Sequence, residues 1–320
     1  MSSGSVITLS GGVGGAKLVL GLSHILPPGQ LTVVANTGDD FDHLGLRICP
    51  DIDTVIYTLA DLANREQGWG RAGETWTFMQ VLRDLGGEDW FNLGDGDLAL
   101  HVFRTSRLNN GENLSQVTAE IARSLGIEVK IMPMSDEPVS TMVKTPKGTL
   151  AFQHYFVRER CEPVVTGFDF KGIENAHPNP ALKPLLAKKT DAIVIAPSNP
   201  FVSVDPILSV PGLRSMLRQC RAPIIAVSPI VGGDAIKGPA AKMMGEMGLK
   251  ASALEIARHY RGFIDALVID EKDADLAPAI LAMGIKACVA PTVMKDLDDR
   301  IELARITLEL ASRLNGRVAR

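Results

Sequence analysis

The chain has 320 residues, of which 46% are hydrophobic and 22% are charged, and its formal net charge at pH 7 is -4. This length and composition allow a large core in one elaborated domain or in two. Without a long basic run, an acidic chain gives no reason to expect a nucleic-acid partner. No apolar run approaches the ~20 residues that span a bilayer, and the first residues lack the basic flank of a signal peptide. We therefore expect a cytoplasmic location and no membrane partner.

Short β-branched runs alternate with helical patterns along much of the chain. Strands are predicted near residues 6–9, 31–36, 192–196, 224–228, 266–269 and 287–290. Helices are predicted near residues 207–220, 239–248, 252–261, 272–283 and 294–314. This alternation is typical of an α/β protein with a doubly wound, Rossmann-like parallel sheet.

The middle of the chain departs from this alternation. Residues 54–126 are predicted to be mainly helical, and adjacent strands are predicted at 128–132, 141–145 and 149–157. Pro146-Lys147-Gly148 is a typical hairpin turn between two of these strands. We therefore predict a nucleotide-binding core made of residues 1–132 and 171–320, with a small antiparallel β insertion at 133–170.

A glycine-rich turn follows the first predicted strand. The apolar run Val6-Ile7-Thr8-Leu9 leads into Ser10-Gly11-Gly12-Val13-Gly14-Gly15-Ala16-Lys17 and then into a helical pattern. Such a turn presents bare backbone N–H groups and a positive helix end, which suit a phosphate. We expect a phosphorylated ligand here, contacted by Gly11, Gly12, Gly14, Gly15 and Lys17. A turn that serves only close packing is the alternative interpretation.

The turn matches neither common phosphate-binding pattern. A P-loop has glycine directly before its lysine, where this chain has Ala16, and a dinucleotide fingerprint that starts at Gly12 would need glycine in place of Lys17. The second predicted strand ends in Asn36 rather than in the acidic residue that would bind an adenosine ribose. An NAD-dependent dehydrogenase is therefore disfavoured.

Carboxylates are concentrated after the second predicted strand. They lie at the carboxyl edge of the predicted sheet, where open α/β folds bind ligands. The five are Asp39, Asp40, Asp42, Asp51 and Asp53. A shared Mg²⁺, held jointly with substrate phosphates, would relieve their repulsion. The alternative is that Asp51 and Asp53 cap a helix and that Asp39 and Asp40 form a turn.

A third group of polar residues comprises Asp95, Asp97, His101 and Arg104. The last three are spaced at i, i+4 and i+7, so a helix would place them on one face, which we expect to meet a ligand. A helix cap is the alternative role for the Asp-Gly-Asp run. Later turns at predicted strand ends offer further polar groups to a ligand, at Ser198-Asn199-Pro200, Ser228 and Lys237-Gly238.

Taken together, these motifs resemble those of one family. The glycine-rich turn and Asn36 to Asp40 are followed in order by Cys49-Pro50-Asp51-Ile52-Asp53-Thr54, Leu93-Gly94-Asp95, Pro133-Met134-Ser135-Asp136, Pro197-Ser198-Asn199-Pro200 and Ser228-Pro229-Ile230. This set is similar to that of the 2-phospho-L-lactate transferase (CofD) family of coenzyme F-420 biosynthesis. The resemblance runs from residue 6 to about residue 300.

The resemblance implies a Mg²⁺-dependent transferase and a homodimer. A phosphorylated three-carbon acid, 2-phospholactate, enolpyruvyl phosphate or 3-phosphoglycerate, would pass from its GDP-activated donor to the deazaflavin Fo. GMP would leave, and F-420-0 or its dehydro form would result. Phosphoryl transfer of this kind depends on alignment and charge neutralisation. The sequence does not distinguish the three acids, which differ by a few atoms.

The resemblance also assigns roles to residues. It places the glycine-rich turn at the donor diphosphate, and the turns at Ser198-Asn199-Pro200, Ser228 and Lys237-Gly238 at the guanosine nucleotide. Asp40, Asp51 and Asp53 are assigned to the metal and the acceptor hydroxyl, with Asp51 or Asp53 as base. We expect further substrate contacts from Asn36, Asp95, Asp97, His101 and Arg104.

One difference from the family motif, and one related branch of the superfamily, leave alternatives open. Many relatives have Gly-Asp-Arg-Asp where this chain has Gly94-Asp95-Gly96-Asp97, so a cation is missing at Gly96, and Arg104 is a candidate substitute. A related branch of the superfamily binds nucleotide sugars in a regulatory role without catalysis. Aromatic candidates for stacking on the deazaflavin are Trp69, Trp76, Trp90 and Phe91.

Overall fold

The structure, a computed structural model, describes residues 4–318 and the side chains of residues 4–315. Its strands are β1 Ser5–Ser10, β2 Leu31–Ala35, β3 Phe41–His43, β4 Leu46–Ile48, β5 Lys130–Pro133, β6 Ser140–Thr145, β7 Gly148–Ala151, β8 Gly167–Lys171, β9 Thr190–Ile195, β10 Ile224–Val227, β11 Ile230–Val231, β12 Asp234–Ala235, β13 Ala266–Ile269 and β14 Lys286–Val289.

Its helices are α1 Gly12–Ile25, α2 Pro50–Leu59, α3 Thr77–Asp84, α4 Asp95–Asn109, α5 Leu114–Ser124, α6 Leu182–Leu186, α7 Asp205–Ser209, α8 Leu213–Gln219, α9 Ala240–Glu246, α10 Ala253–His259, α11 Ala277–Ala282 and α12 Leu297–Val318. Wide π-helical turns form at His154–Arg158 and Pro200–Val204, and 3₁₀ turns form at Ile173–Asn175 and Glu271–Leu276.

The centre of the molecule is a seven-stranded sheet in the order β14-β13-β10-β9-β1-β2-β5, and every adjacent pair is parallel. Its strands are short apolar runs because helices cover both faces, as parallel sheets require. The chain leaves β1 in one direction towards β2 and β5 and later returns to β9 on the other side. The prediction of a doubly wound, Rossmann-like sheet is therefore confirmed.

Alternate residues of each strand point into two different cores. On one face, Ile7 and Leu9 pack with residues of α7 to α10. On the other face, Val6 packs with residues of α1, α2, α5 and α12. Within the described residues, no helix has both the length and the apolar character needed to cross a membrane.

Helix α12 crosses α1 at very close range. Gly21 of α1 lies against the backbone of Arg300, so a Cβ at this position would overlap the Arg300 carbonyl oxygen. Since backbone cannot move aside cheaply, we expect Gly21→Ala to lower the free energy of unfolding by about 1–3 kcal/mol. The matched control is Gly245→Ala in α9, where a Cβ meets open space; it should raise stability by up to about 1 kcal/mol. Urea unfolding of both variants measures the difference, and equal stabilities would contradict the close approach.

The predicted antiparallel insertion is present, but one of the strands predicted within it was extended too far along the chain. Strands β7, β6 and β8 form a three-stranded antiparallel sheet, and the predicted turn joins β6 to β7. The strand predicted to reach Val157 ends at Ala151, because Phe152 stacks on Phe156 and Tyr155 is buried in a helical turn. The boundaries of the insertion at residues 133 and 170 stay predictions. Strand β5 ends one residue inside the first boundary, and β8 ends one residue beyond the second.

Candidate functional site

A cleft of about 460 Å³ opens at the carboxyl ends of the parallel strands. It lies where β1 and β9 are neighbours and the chain turns away in opposite directions, the usual ligand position in open α/β sheets. The glycine-rich turn lines it after β1, and the 197–203 segment lines it after β9. The Gly11 amide donates to Ser198 Oγ at 3.2 Å, which joins the two turns. A Cβ on Gly14 would overlap the Pro197 carbonyl oxygen, so only glycine fits there.

Two carboxylates are held side by side at the edge of this cleft. Asp51, in the first turn of α2, accepts from the Gly12 amide at 2.5 Å and from Asn36 Nδ2 at 2.9 Å. The same Nδ2 donates to Asp39 Oδ1 at 3.0 Å, so Asn36 links the two carboxyl groups. Gln153, from the insertion, lies 3.4 Å from the other oxygen of Asp39. Asp51 therefore forms a hydrogen bond with the glycine-rich turn. It does not cap α2, which was the alternative role considered for it.

Burial makes this pair costly to ionise. Burial raises the pKa of Asp51 to about 6, although hydrogen bonds from Asn36 and Gly12 lower it. Burial, followed by the negative charges of Asp51 and Asp40, raises the pKa of Asp39 well above its usual range. Two adjacent carboxylates need a shared proton or a cation between them. Oxygen ligands of this kind, completed by substrate phosphates, suit Mg²⁺.

The three carboxylates predicted to share a metal do not form one group. Among the described residues, no cluster of three or more His, Cys, Asp or Glu side chains is arranged to hold a metal ion. Burial raises the pKa of Asp40 to about 8, against a hydrogen bond from the Cys49 thiol, and Asp40 lies behind the cleft wall. Both oxygens of Asp53 accept from the Arg104 guanidinium, with Nη1 at 3.1 Å. Asp39, one of the five carboxylates noted in the sequence but not assigned to the metal by the resemblance, lies beside Asp51 instead.

Helix α4 presents Asp97, His101 and Arg104 on one face, as the spacing predicted. Asp97 accepts from the Tyr57 hydroxyl at 2.5 Å and lies 3.2 Å from His101 Nε2. Arg104 Nη1 lies 3.2 Å from His101 Nδ1. A guanidinium only donates, so Nδ1 accepts and the imidazole proton is on Nε2, facing Asp97. Burial raises the pKa of Asp97, yet the hydrogen bonds from His101 and Tyr57 outweigh it and hold that pKa below its usual value.

Four aromatic side chains, here called the aromatic wall, also line the cleft. Phe91, Phe152, Phe156 and Trp69 line the cleft, and the rings of Phe152 and Phe156 stack with centroids 5.5 Å apart. Of the four aromatic residues proposed from the sequence, Trp69 and Phe91 therefore reach the cleft. The other two do not line it: Trp90 packs on Phe41, His43, Phe91 and His154, and Trp76 lies at the start of α3.

Comparison with known proteins identifies the family. The model of the family described as 2-phospho-L-lactate transferase CofD matches residues 6–289. The chain belongs to the CofD family. It is thus a transferase of the CofD type, and the resemblance inferred from the motifs is confirmed.

Individual relatives of this CofD protein span nearly its whole length. A 2-phospho-L-lactate transferase from Methanosarcina acetivorans is 40% identical over 306 residues, which cover 95% of this chain and 98% of the relative. A phosphoenolpyruvate transferase from Streptomyces griseus is 38% identical over 317 residues, covering 97% and 99%. The crystal structure of a UPF0052 family protein from Bacillus halodurans superposes with a TM-score of 0.63 at 16% identity, covering 96% of this chain and 99% of that one. This last similarity establishes the fold alone.

Most of the site residues predicted for this CofD chain line the cleft. Those that do are Gly11, Gly12, Gly14, Lys17, Asp51, Asp53, Asp97, His101, Ser198, Asn199, Ser228, Lys237 and Gly238. Six lie behind its wall or outside it, namely Gly15, Asn36, Asp40, Asp95, Arg104 and Pro200. Asp95 accepts from the amides of Thr77 and Phe78 at the start of α3, so it caps that helix rather than α4, the helix that its own run begins.

The guanidinium of Arg71 fills the space beside Gly96, the position at which the family resemblance led us to expect a cation. A Cβ on Gly96 would overlap the Arg71 guanidinium, which pairs with Glu74 at 3.3 Å. Glu74 in turn accepts from the amides of Gly96 and Asp97. Arg104, the substitute considered from the sequence, is fully buried against Asp53. Arg71 thus places a positive charge beside Gly96, but like Arg104 it does not line the cleft.

Proposed function

We propose that the protein transfers a phosphorylated three-carbon acid from its GDP-activated donor to the deazaflavin Fo, releasing GMP and forming F-420-0 or its dehydro form. The observation that carries this proposal is the make-up of one cleft, in which a glycine-rich turn, a carboxylate pair and an aromatic wall meet. The names of the relatives, transferases of 2-phospho-L-lactate and of phosphoenolpyruvate, support the acid class.

The walls of the cleft suit different parts of such substrates. The first-turn amides of α1 that follow Gly12 suit the donor diphosphate, since the Gly11 and Gly12 amides already donate to Ser198 and Asp51. Ser198, Asn199 and Ser228 offer hydroxyl and amide groups on the β9 and β10 side, where we place the guanosine nucleotide. The planar deazaflavin would lie on the aromatic side, since flat rings gain most from contact with Phe152 and its neighbours.

The acidic pair suits Mg²⁺ because its ligands are oxygens and its two carboxylates need a counter-charge. Asp39 and Asp51 would hold the ion, which when bound neutralises phosphate charge during transfer. Asp51 also orients the acceptor hydroxyl and accepts its proton as the new O–P bond forms. Asp53 is the weaker base, because both of its oxygens accept from the charged Arg104 guanidinium, whereas those of Asp51 accept from uncharged amides.

Affinity for Mg²⁺ is expected to rise with pH. Burial raises the pKa of Asp51 to about 6 and that of Asp39 well above its usual range, so at lower pH the ion must displace protons from both groups. Calorimetric titration in buffers of different ionisation enthalpy, between about pH 5 and pH 8, measures the protons released. Asp39→Asn should release fewer protons than the parent. An affinity that does not change with pH would contradict this ligand pair.

Reconstitution tests the transfer itself. The protein is incubated with Mg²⁺, Fo, GTP, a guanylyltransferase and each of the three phospho-acids in separate reactions, and products are followed by mass. One product mass would establish both the activity and the donor. No product from any acid, together with binding of a nucleotide sugar, would instead favour the regulatory branch. The homodimer and the cytoplasmic location stay predictions.

A further inference from the structure

Half of the aromatic wall belongs to one short segment of the insertion. Phe152 lies just before the π-helical turn His154–Arg158, and Phe156 lies within it. The ring of Phe156 stacks on Phe152, yet the residue is 40% exposed, so packing holds only part of it. The position of both rings in the cleft therefore depends on how the backbone of this turn is held.

The chain that follows this turn depends on contacts from elsewhere in the fold. Residues 159–166 lie outside the helices and strands. Arg160 and Cys161 have φ values of 50° and 59°, in the left-handed region that residues with a Cβ rarely adopt. The buried Tyr155 bonds this stretch from within, since its hydroxyl donates to the Cys161 carbonyl oxygen at 3.4 Å. A path of this kind persists only where surrounding groups fix it.

Helix α9 supplies such groups through two side chains. Lys242 Nζ donates to the Tyr155 hydroxyl and to the Pro163 carbonyl oxygen, each at 3.3 Å. Lys242 also pairs with Glu246, one turn later on the same helix. The other carboxylate oxygen of Glu246 accepts from the Val165 amide at 3.0 Å. Two neighbouring side chains of one helix thus hold both ends of the 155–165 segment.

Helix α9 is itself fixed in the fold. Its Met243 is fully buried in the core, and Pro239 and Ala240 at its start line the cleft. Lys242 and Glu246 do not line the cleft. The route from these two side chains to a ligand therefore runs through the 155–165 segment, which they contact directly.

We propose that Lys242 and Glu246 are positioning residues for the acceptor ring. By holding the 155–165 segment against α9, they set Phe152 and Phe156 where a flat ring can pack on them. This inference rests on the proposed function, which places the deazaflavin on the aromatic wall. Since neither side chain touches the cleft, loss of either contact weakens binding of the ring and leaves binding of the nucleotide unchanged.

Separate calorimetric titrations with Fo and with GDP test the proposal. Lys242→Met keeps an apolar stem but loses all three partners, and it should weaken Fo binding about 3- to 10-fold, the equivalent of about one net hydrogen bond. Affinity for GDP should stay within about twofold of the parent's, since a change below one net hydrogen bond is expected there. Glu246→Gln keeps an acceptor for the Val165 amide and should weaken Fo binding less. The matched control is Lys250→Met, an exposed lysine beyond the end of α9, which should change neither affinity.

Hydrogen exchange reports on the segment without any ligand. The Cys161 amide donates to the Tyr155 carbonyl oxygen at 2.9 Å, and the Val165 amide donates to Glu246. In Lys242→Met both amides should exchange about 3- to 10-fold faster than in the parent. Amides of β1, in the central sheet, should exchange as they do in the parent, which separates a local change from unfolding.

Unchanged exchange in Lys242→Met would overturn the proposal, because the segment would then not depend on α9. Faster exchange with unchanged Fo affinity would also overturn it, because the aromatic wall would then not depend on the segment. Equal weakening of Fo and GDP would contradict a role specific to the ring. If the parent binds GDP but not Fo, the transferase proposal fails. Exchange then decides alone whether α9 holds the turn that carries Phe156: faster exchange supports this contact, and unchanged exchange refutes it.

Discussion

Replacing Asp51 by asparagine is expected to lower kcat/KM for transfer by about 10²- to 10⁴-fold, the range for loss of a general base. The substitution keeps the size of the side chain, and its amide oxygen can still accept from Gly12 or from Asn36. One of the two hydrogen bonds is lost, at a cost of about 1 kcal/mol. Loss of a buried negative charge beside Asp39 offsets this cost, so the fold should persist. The measurement is steady-state transfer to Fo at saturating Mg²⁺.

The pH profile separates a chemical role for Asp51 from a structural one. The charge of Asp51 helps to raise the pKa of Asp39, so Asp51→Asn should lower the pKa of Asp39. The matched control is Asp42→Asn, in the same acidic segment, whose carboxylate is exposed and pairs with Arg47. It should keep transfer within about twofold, because exposed ion pairs contribute little. Equal losses in the two variants would remove Asp51 from the chemistry.

The parallel sheet could be predicted from the sequence because inner strands such as β10 and β13 are buried on both faces and are therefore uninterrupted apolar runs. The end of β7 could not be predicted in the same way. Phe152, Tyr155 and Phe156 are aromatic residues that suit a strand, yet their i, i+3, i+4 spacing also suits a helical turn. Packing of Phe152 on Phe156 decides between the two. The missed turn supplies part of the aromatic wall.

The site was predicted as a set of segments and less well as individual side chains. Asp39 and Asp40 are adjacent and chemically alike, and only the path of the turn after β2 decides that Asp39 faces the cleft. Similarly, Arg71 is 25 positions from Gly96 in sequence, so no local pattern could reveal that its guanidinium fills the space there. Motif spacing identifies the segments that meet, whereas long-range packing decides which atoms reach the ligand.

Arg104→Met is expected to lower the free energy of unfolding by about 3–5 kcal/mol, the usual result of breaking a buried ion pair from one side. Arg104 is fully buried and donates to both oxygens of Asp53, which is itself buried. Its guanidinium also lies 3.2 Å from His101 Nδ1. Methionine fills much of the volume but leaves the Asp53 carboxylate without its counter-charge. Urea unfolding measures the loss.

Two further variants show whether the loss comes from the unpaired charge. Arg107→Met, on the same helix, breaks half-exposed pairs with Glu112 and Glu120 and should cost at most about 1 kcal/mol. The double variant Asp53→Leu/Arg104→Met removes both buried charges and should recover most of the stability. Transfer should be impaired in both the single and the double variant, because each removes the Arg104 donor that fixes the His101 proton on Nε2, facing Asp97. A double variant less stable than Arg104→Met alone would mean that Asp53 stabilises the fold through contacts other than this ion pair.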